Sequence, residues 1–162
     1  MSMAIGQKLP HEDRQHEWIR TMSELSGNPT FISIFIATAI LCALDILTTN
    51  YAVSNAIGYE SNMVLAGMLS RGFYMFKYFA TLAIVVGIGG MCNGKHRKLE
   101  MTSYATLLSF YAIVVLNNML EIFANTDLDL NLPKLFLIFG LLFILFGLVN
   151  AKRERSKTFQ PP

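Results

Sequence analysis

Charge is scarce in this chain. Only 15% of its residues are Asp, Glu, Lys or Arg, against roughly 25% in an ordinary soluble domain. The net charge is +2, and no basic stripe with interleaved aromatics is present, so nucleic acid is not expected as a partner. Cysteine is limited to Cys42 and Cys92, which show neither metal nor redox spacing and read as two small apolar fillers. The histidines, His11, His16 and His96, all lie outside the apolar runs. That leaves Ser61 and Ser70 without a histidine base and excludes a zinc-protease pair. A Gly-x-Ser-x-Gly elbow and a phosphate-binding glycine loop are also missing. No internal repeat and no cleavable signal peptide are evident; the first thirty residues are polar, so the first apolar helix is expected to be its own uncleaved targeting signal. The sequence therefore assigns no catalytic residue, no cofactor and no metal ligand, and it leans away from an enzyme.

What the chain does have is long apolar runs. The hydrophobic fraction is 53%, and the charges crowd the N-terminus, one central loop and the C-terminus. This pattern predicts an all-α, polytopic membrane helix bundle with four transmembrane helices and both termini cytoplasmic, with the lipid bilayer as its first partner. Residues 1–29 read as a cytoplasmic segment. There Pro10 opens a short amphipathic helix, Trp18, Ile19, Met22 and Leu25 share a face, Gly27 and Pro29 stop it, and Thr30 caps the next. The transmembrane domain spans 30–150, with helices at about 30–52, 72–91, 104–124 and 133–150. Residues 63–69 are apolar but too short to span, and suit a short interfacial or re-entrant helix. Residues 151–162 are read as a cytoplasmic tail, basic at first and then disordered.

The first apolar helix carries one charge, Asp45. Steps of three and four from it give Thr38, Cys42, Asp45, Thr49 and Ala52, all small or polar, whereas the opposite side is Ile and Phe. Small and polar residues mark the face that meets other helices, because lipid favours bulky apolar groups. A carboxylate in a membrane helix costs roughly 2.5–3.5 kcal/mol on insertion scales, so Asp45 needs a partner or a water-filled cavity. The next apolar helix supplies Lys77, on a side shared with Ala80, Thr81, Ile84 and Gly87. The third ends in Asn117, Asn118 and Glu121, whose spacing of three and four lets both amides lie near the carboxylate.

The Lys/Arg bias sets the expected orientation. Cytoplasmic termini put Lys8, Arg14, Arg20, Lys95, Arg97, Lys98, Lys152, Arg153, Arg155 and Lys157 inside. Arg71 is left outside, Lys134 lies at the outer edge and Lys77 within a helix. At a 1.5 Å rise per residue, Asp45 lies about 14 residues from the inner face, Lys77 about five from the outer face and Glu121 about three from it. Asp45, Lys77 and Glu121 then share one layer of the outer half, with Thr48, Thr49, Asn117 and Asn118, and Glu60 and Asn62 stand in the loop above. The inner half is expected to hold no charge. Asp45 with Lys77 is the expected ion pair.

The order Leu44-Asp45-x-x-Thr48, a spacer, Glu60-x-Asn62, then Phe76-Lys77 resembles an uncharacterised family of small prokaryotic membrane proteins known as a domain of unknown function. That family shows Asp-x-x-Thr, then Glu-x-Asn-Pro, then Lys in the next helix, and the likeness covers roughly 31–125. Met63 stands where the pattern has proline. The resemblance implies a small helical bundle and brings no activity.

Three functions fit. The first is a structural or accessory subunit, or assembly factor, of a membrane complex, with other subunits or a second copy as partners and the Asp45–Lys77–Glu121 cluster as a buried lock. The second is a small transporter or ion/proton pathway, although no polar route through the inner half and no inverted repeat are visible. The third is an outer-face metal-binding protein or intramembrane enzyme, with Asp45, Glu60 and Glu121 as oxygen ligands to a hard cation.

Overall fold

A computed structural model of the chain describes residues 10–55, 71–92 and 96–158, with side chains described over 18–55, 73–92 and 96–153. Those residues form five helices: α1 (Pro10–Ser26), α2 (Pro29–Ser54), α3 (Arg71–Cys92), α4 (Arg97–Ala124) and α5 (Leu132–Thr158). The segment 63–69 lies outside the described residues.

Several helix ends rest on recognisable local chemistry. Asn28 caps α2, its Oδ1 accepting the backbone N–H groups of Thr30 at 3.0 Å and Phe31 at 3.3 Å. Pro29 fills the first position, where no N–H is needed. Thr30, expected as the cap, is instead a donor to it. At the far end of α4, Asn125 takes the left-handed conformation at φ 49°, which asparagine tolerates better than most residues. Asn131 then accepts the N–H of Lys134 and starts α5, with Pro133 in its first turn.

Two helices run further than their apolar stretches. α4 reaches back to Arg97, before the expected start near Tyr104, and α5 continues through the basic tail to Thr158. The basic part of the tail is thus helical for eight residues past Asn150, and residues 159–162 lie outside the described residues. Both extensions are rich in Lys, Arg, Leu, Met, Ala and Glu, which prolong a helix at little cost, and cations suit the C-terminal end of α5.

Among the described residues, four helical stretches are long and apolar enough to cross a membrane: Pro29–Ser54, Phe73–Cys92, Arg97–Ala124 and Leu132–Arg153, with mean hydropathies of 2.3, 1.6, 1.7 and 2.5. Their register follows from side-chain pairs. Lys77 meets Asp45 while Gly89 lies beside Phe31, so α2 and α3 are antiparallel. Asn118 meets Asp45 while Tyr104 joins Phe31 at Gly89, so α4 runs parallel to α2. The Phe110–Phe139 and Thr102–Asn150 contacts set α5 antiparallel to α4.

Helices α2, α3 and α4 all pack against one another, whereas α5 packs against α4 alone among the described elements. The fourth helix therefore flanks a three-helix core instead of closing a four-helix bundle. Helix α1 lies across the ends of α2 and α3. It buries Thr21 and Leu25, while Trp18 and Ile19 point outward at 60% and 67% exposure. The shared face expected of Trp18, Ile19, Met22 and Leu25 is thus used only in its last turns, where the neighbouring helices stand.

The burial pattern is inverted relative to a water-soluble domain. The apolar centre consists of Cys42, Val85, Tyr104, Leu107 and Tyr111, with Leu25 and Phe31 at one end. Thr38, Asp45, Thr81 and Thr106 are buried among them. Meanwhile Ile36, Ile40, Phe76, Phe79, Phe123, Phe136 and Leu148 are each more than half exposed. Bulky apolar groups outside and small or polar groups between helices are what hydrocarbon as a solvent selects.

Candidate functional site

Asp45 sits on the buried face of α2, which runs Phe31, Thr38, Cys42, Asp45, Ala52. These steps of seven, four, three and seven are a heptad seam, so the carboxylate must point between helices. It is 1% exposed. Lys77 of α3 reaches it, with Nζ 2.6 Å from Oδ2. Asn118 of α4 donates from Nδ2 to Oδ1 at 3.2 Å, and Thr49 donates to the same oxygen at 3.4 Å. Both carboxylate oxygens are thereby engaged, by partners from three helices.

The cluster closes through Asn118. Its amide nitrogen also lies 3.1 Å from Thr48 Oγ1 and 3.0 Å from Thr49 Oγ1. Thr48 in turn donates to the Leu44 carbonyl at 2.8 Å, one turn back on its own helix. An ion pair shielded in this way is stronger per contact than in water, but each ion has also lost its hydration, so the neutral donors around it are needed to offset that loss.

Of the residues singled out from the sequence, Asp45, Thr48, Thr49, Lys77 and Asn118 come together. Asn117 does not join them. Its Oδ1 accepts the Leu128 N–H at 3.0 Å and its Nδ2 donates to Asp127 at 3.4 Å, tying down the loop after α4. The two asparagines part because successive helix residues point about 100° apart, so one amide serves α2 and the other the loop. Glu121 is half-buried, one turn further along α4. Glu60 and Asn62 lie outside the described residues. Among the described residues no group of three His, Cys, Asp or Glu side chains is placed to hold a metal.

A second set of buried polar groups extends away from this cluster. Thr81, one turn from Lys77 on α3, has its Oγ1 2.6 Å from the Tyr111 hydroxyl of α4. Thr38, two turns from Asp45, is fully buried and its hydroxyl has no hydrogen-bond partner among the described residues. An orphan of that kind costs about 1–3 kcal/mol. Beyond it, the Tyr104 hydroxyl donates to the Val85 carbonyl at 3.3 Å, and Glu100 is buried at 6% exposure in the first turn of α4.

The end of the bundle away from Asp45 is therefore not free of charge, contrary to the sequence reading. Glu100 looks like part of a basic loop in the sequence, and enters the packed structure because α4 begins before it. A heptad count along α4 finds the same face: Glu100, Tyr104, Leu107, Tyr111, Asn118. At this end Gly89 lets the helices approach. A Cβ there would lie 2.8 Å from the Tyr104 hydroxyl and 2.9 Å from a Leu25 methyl.

Neither a curated protein nor a solved structure matches the chain. The family described as a domain of unknown function, DUF5658, matches residues 36–124. That stretch holds most of α2 and all of α3 and α4, the three helices that build the polar interface, and leaves out α1 and α5. It is more than half of the chain, and the protein belongs to the DUF5658 family.

Proposed function

We propose that this protein is a non-catalytic integral membrane subunit, an accessory or assembly component of a larger membrane complex. In this reading the Asp45–Lys77–Asn118 cluster is an internal lock that sets the register of α2, α3 and α4. One observation carries it: Asp45 is 1% exposed and both of its oxygens are already engaged from three helices. A carboxylate closed off in that way is suited to holding helices and not to receiving a substrate. The flanking position of α5 adds support, since it packs on α4 alone and presents apolar side chains such as Phe136, Leu141 and Leu148 outward. The cell membrane as location, with cytoplasmic N- and C-termini, follows from the distribution of Lys and Arg between the helices.

The test is the native mass of the full chain, extracted from its own host in mild detergent. The expected result is co-purification with other membrane subunits in fixed stoichiometry. A monomer or homodimer alone overturns the reading.

A further inference from the structure

We propose that a cavity at the start of α4 binds the headgroup of an aminophospholipid, in which a two-carbon bridge joins a primary ammonium to a phosphate. Glu100 takes the ammonium and Arg97 takes the phosphate. The inference needs the helices to span a membrane. It is independent of the Asp45–Lys77 lock, which lies at the other end of the bundle, and of whether the protein works within a complex.

Three helix ends wall the cavity, which has a volume of about 330 Å³. Glu24 comes from the last turn of α1, Asn28 and Thr30 from the start of α2, and Arg97 and Glu100 from the first turn of α4. Pockets for small ligands begin at roughly 300 Å³, so there is room for a headgroup.

Glu100 is the residue that calls for a ligand. It is 6% exposed, and its open side is the cavity. Among the described residues no salt bridge reaches it, although Arg97 attracts it from a longer distance. The Tyr104 hydroxyl is close by, but it has a single proton, which it donates to the Val85 carbonyl. A carboxylate has about four acceptor sites, and one buried in this way is ordinarily satisfied. A primary ammonium brings three N–H donors together with the compensating charge.

The other charges leave room for a zwitterion. Glu24 is engaged by Arg20 at 3.5 Å, so the cavity is left with one carboxylate, Glu100, and one guanidinium, Arg97. Residues three apart on a helix have Cβ atoms about 5–6 Å apart, a spacing that a two-carbon bridge can match. Arg97 suits a phosphate because its planar fork can donate two parallel hydrogen bonds. The Oδ1 of Asn28 is used in capping α2, which leaves its amide N–H groups as further donors.

Depth and selectivity follow from the same residues. Helix α4 has 28 residues, about 42 Å at 1.5 Å per residue, against roughly 30 Å of hydrocarbon. Shared between its two ends, the excess puts about one turn of α4 at headgroup level, the turn that holds Arg97 and Glu100. A trimethylammonium offers Glu100 no N–H. The remaining walls of the cavity, Leu25 and Met101, give it no aromatic face either.

The test uses the full chain in detergent, washed free of copurified lipid, and counts retained lipid by native mass spectrometry. Short-chain phosphatidylethanolamine should bind saturably, one molecule per chain. Phosphatidylcholine and phosphatidylglycerol should bind about tenfold more weakly, the effect of one lost hydrogen bond to a charged group. Glu100→Gln should weaken phosphatidylethanolamine by a similar factor and erase its advantage over phosphatidylcholine. Arg97→Gln should weaken all three lipids, since each carries a phosphate. A merely structural Glu100 predicts a variant that melts at lower temperature and keeps the preference for phosphatidylethanolamine. That result overturns the proposal, as does equal binding of the three lipids to the wild-type protein. Free phosphoethanolamine that competes as strongly as the lipid also overturns it, because the ligand is then a soluble one. Should Glu100→Gln fail to fold, the exposed Arg97 decides, and an Arg97→Gln protein that binds like wild type overturns the assignment.

Discussion

Asp45 and Lys77 owe their state to each other. A buried ion pair is worth little against a well-packed apolar substitute, but removing one member strands the other, at roughly 3–5 kcal/mol. Asp45→Asn and Lys77→Met should each lower the stability of the detergent-solubilised protein by that order, and the double change should restore most of the loss. Thermal melts of the three variants test this, and simple addition of the two losses rules out a coupled pair. Asn118 is the third participant, because its amide spans Asp45, Thr48 and Thr49. At the other end the critical residue is a side chain that is missing. Gly89→Ala places a methyl 2.8 Å from the Tyr104 hydroxyl and 2.9 Å from Leu25, an overpacking expected to cost about 1–3 kcal/mol. Gly147→Ala meets nothing within 4 Å and should stay within about 0.5 kcal/mol of wild type. Chemical or thermal unfolding of the two alanine variants side by side checks the contrast.

At the scale of the helix, α2 and α4 are two-faced in a way that hydropathy alone does not reveal. Both are apolar on average, yet each has one seam of small, hydroxyl-bearing or charged residues. The seam of α2 could be read from Asp45 outward by steps of three and four. The seam of α4 was harder to see, because Tyr104 and Tyr111 pass as apolar residues until their hydroxyls find the Val85 carbonyl and Thr81. Asn117 and Asn118 show the limit of spacing arguments: neighbours in sequence, they serve different structures. Among the described residues, α5 is tied to α4 by Asn150, which donates to Thr102 at 2.9 Å. Apolar contacts add to it, such as the edge-on pairing of Phe110 and Phe139.

For the whole molecule, the clustering of Lys and Arg is the ground for the proposed orientation. Under that proposal the loop between α4 and α5 faces outward and the C-terminal end of α5 faces the cytoplasm. A cysteine introduced by Thr126→Cys should react with a membrane-impermeant thiol reagent in intact cells, and one introduced by Lys152→Cys only after permeabilisation. Both positions are exposed, while the native Cys42 and Cys92 are buried. The reverse labelling pattern overturns the proposed orientation.

The sequence by itself determined the class of structure: an all-α chain with four apolar helices, and Asp45 turned toward the other helices. Those conclusions rest on local properties, namely run length, periodicity and the cost of a lone charge, which need no knowledge of neighbours. It also pointed to an uncharacterised family of unknown function, and a family model of that description matches residues 36–124. Only the tertiary structure decided that α5 stands aside from a three-helix core, that Asn118 and not Asn117 serves Asp45, and that Glu100, Tyr104, Thr38 and Tyr111 share one interior. Each of these depends on where a helix begins and how it is rotated against its neighbours. Packing between helices sets the rotation, and the order of residues along any one of them does not.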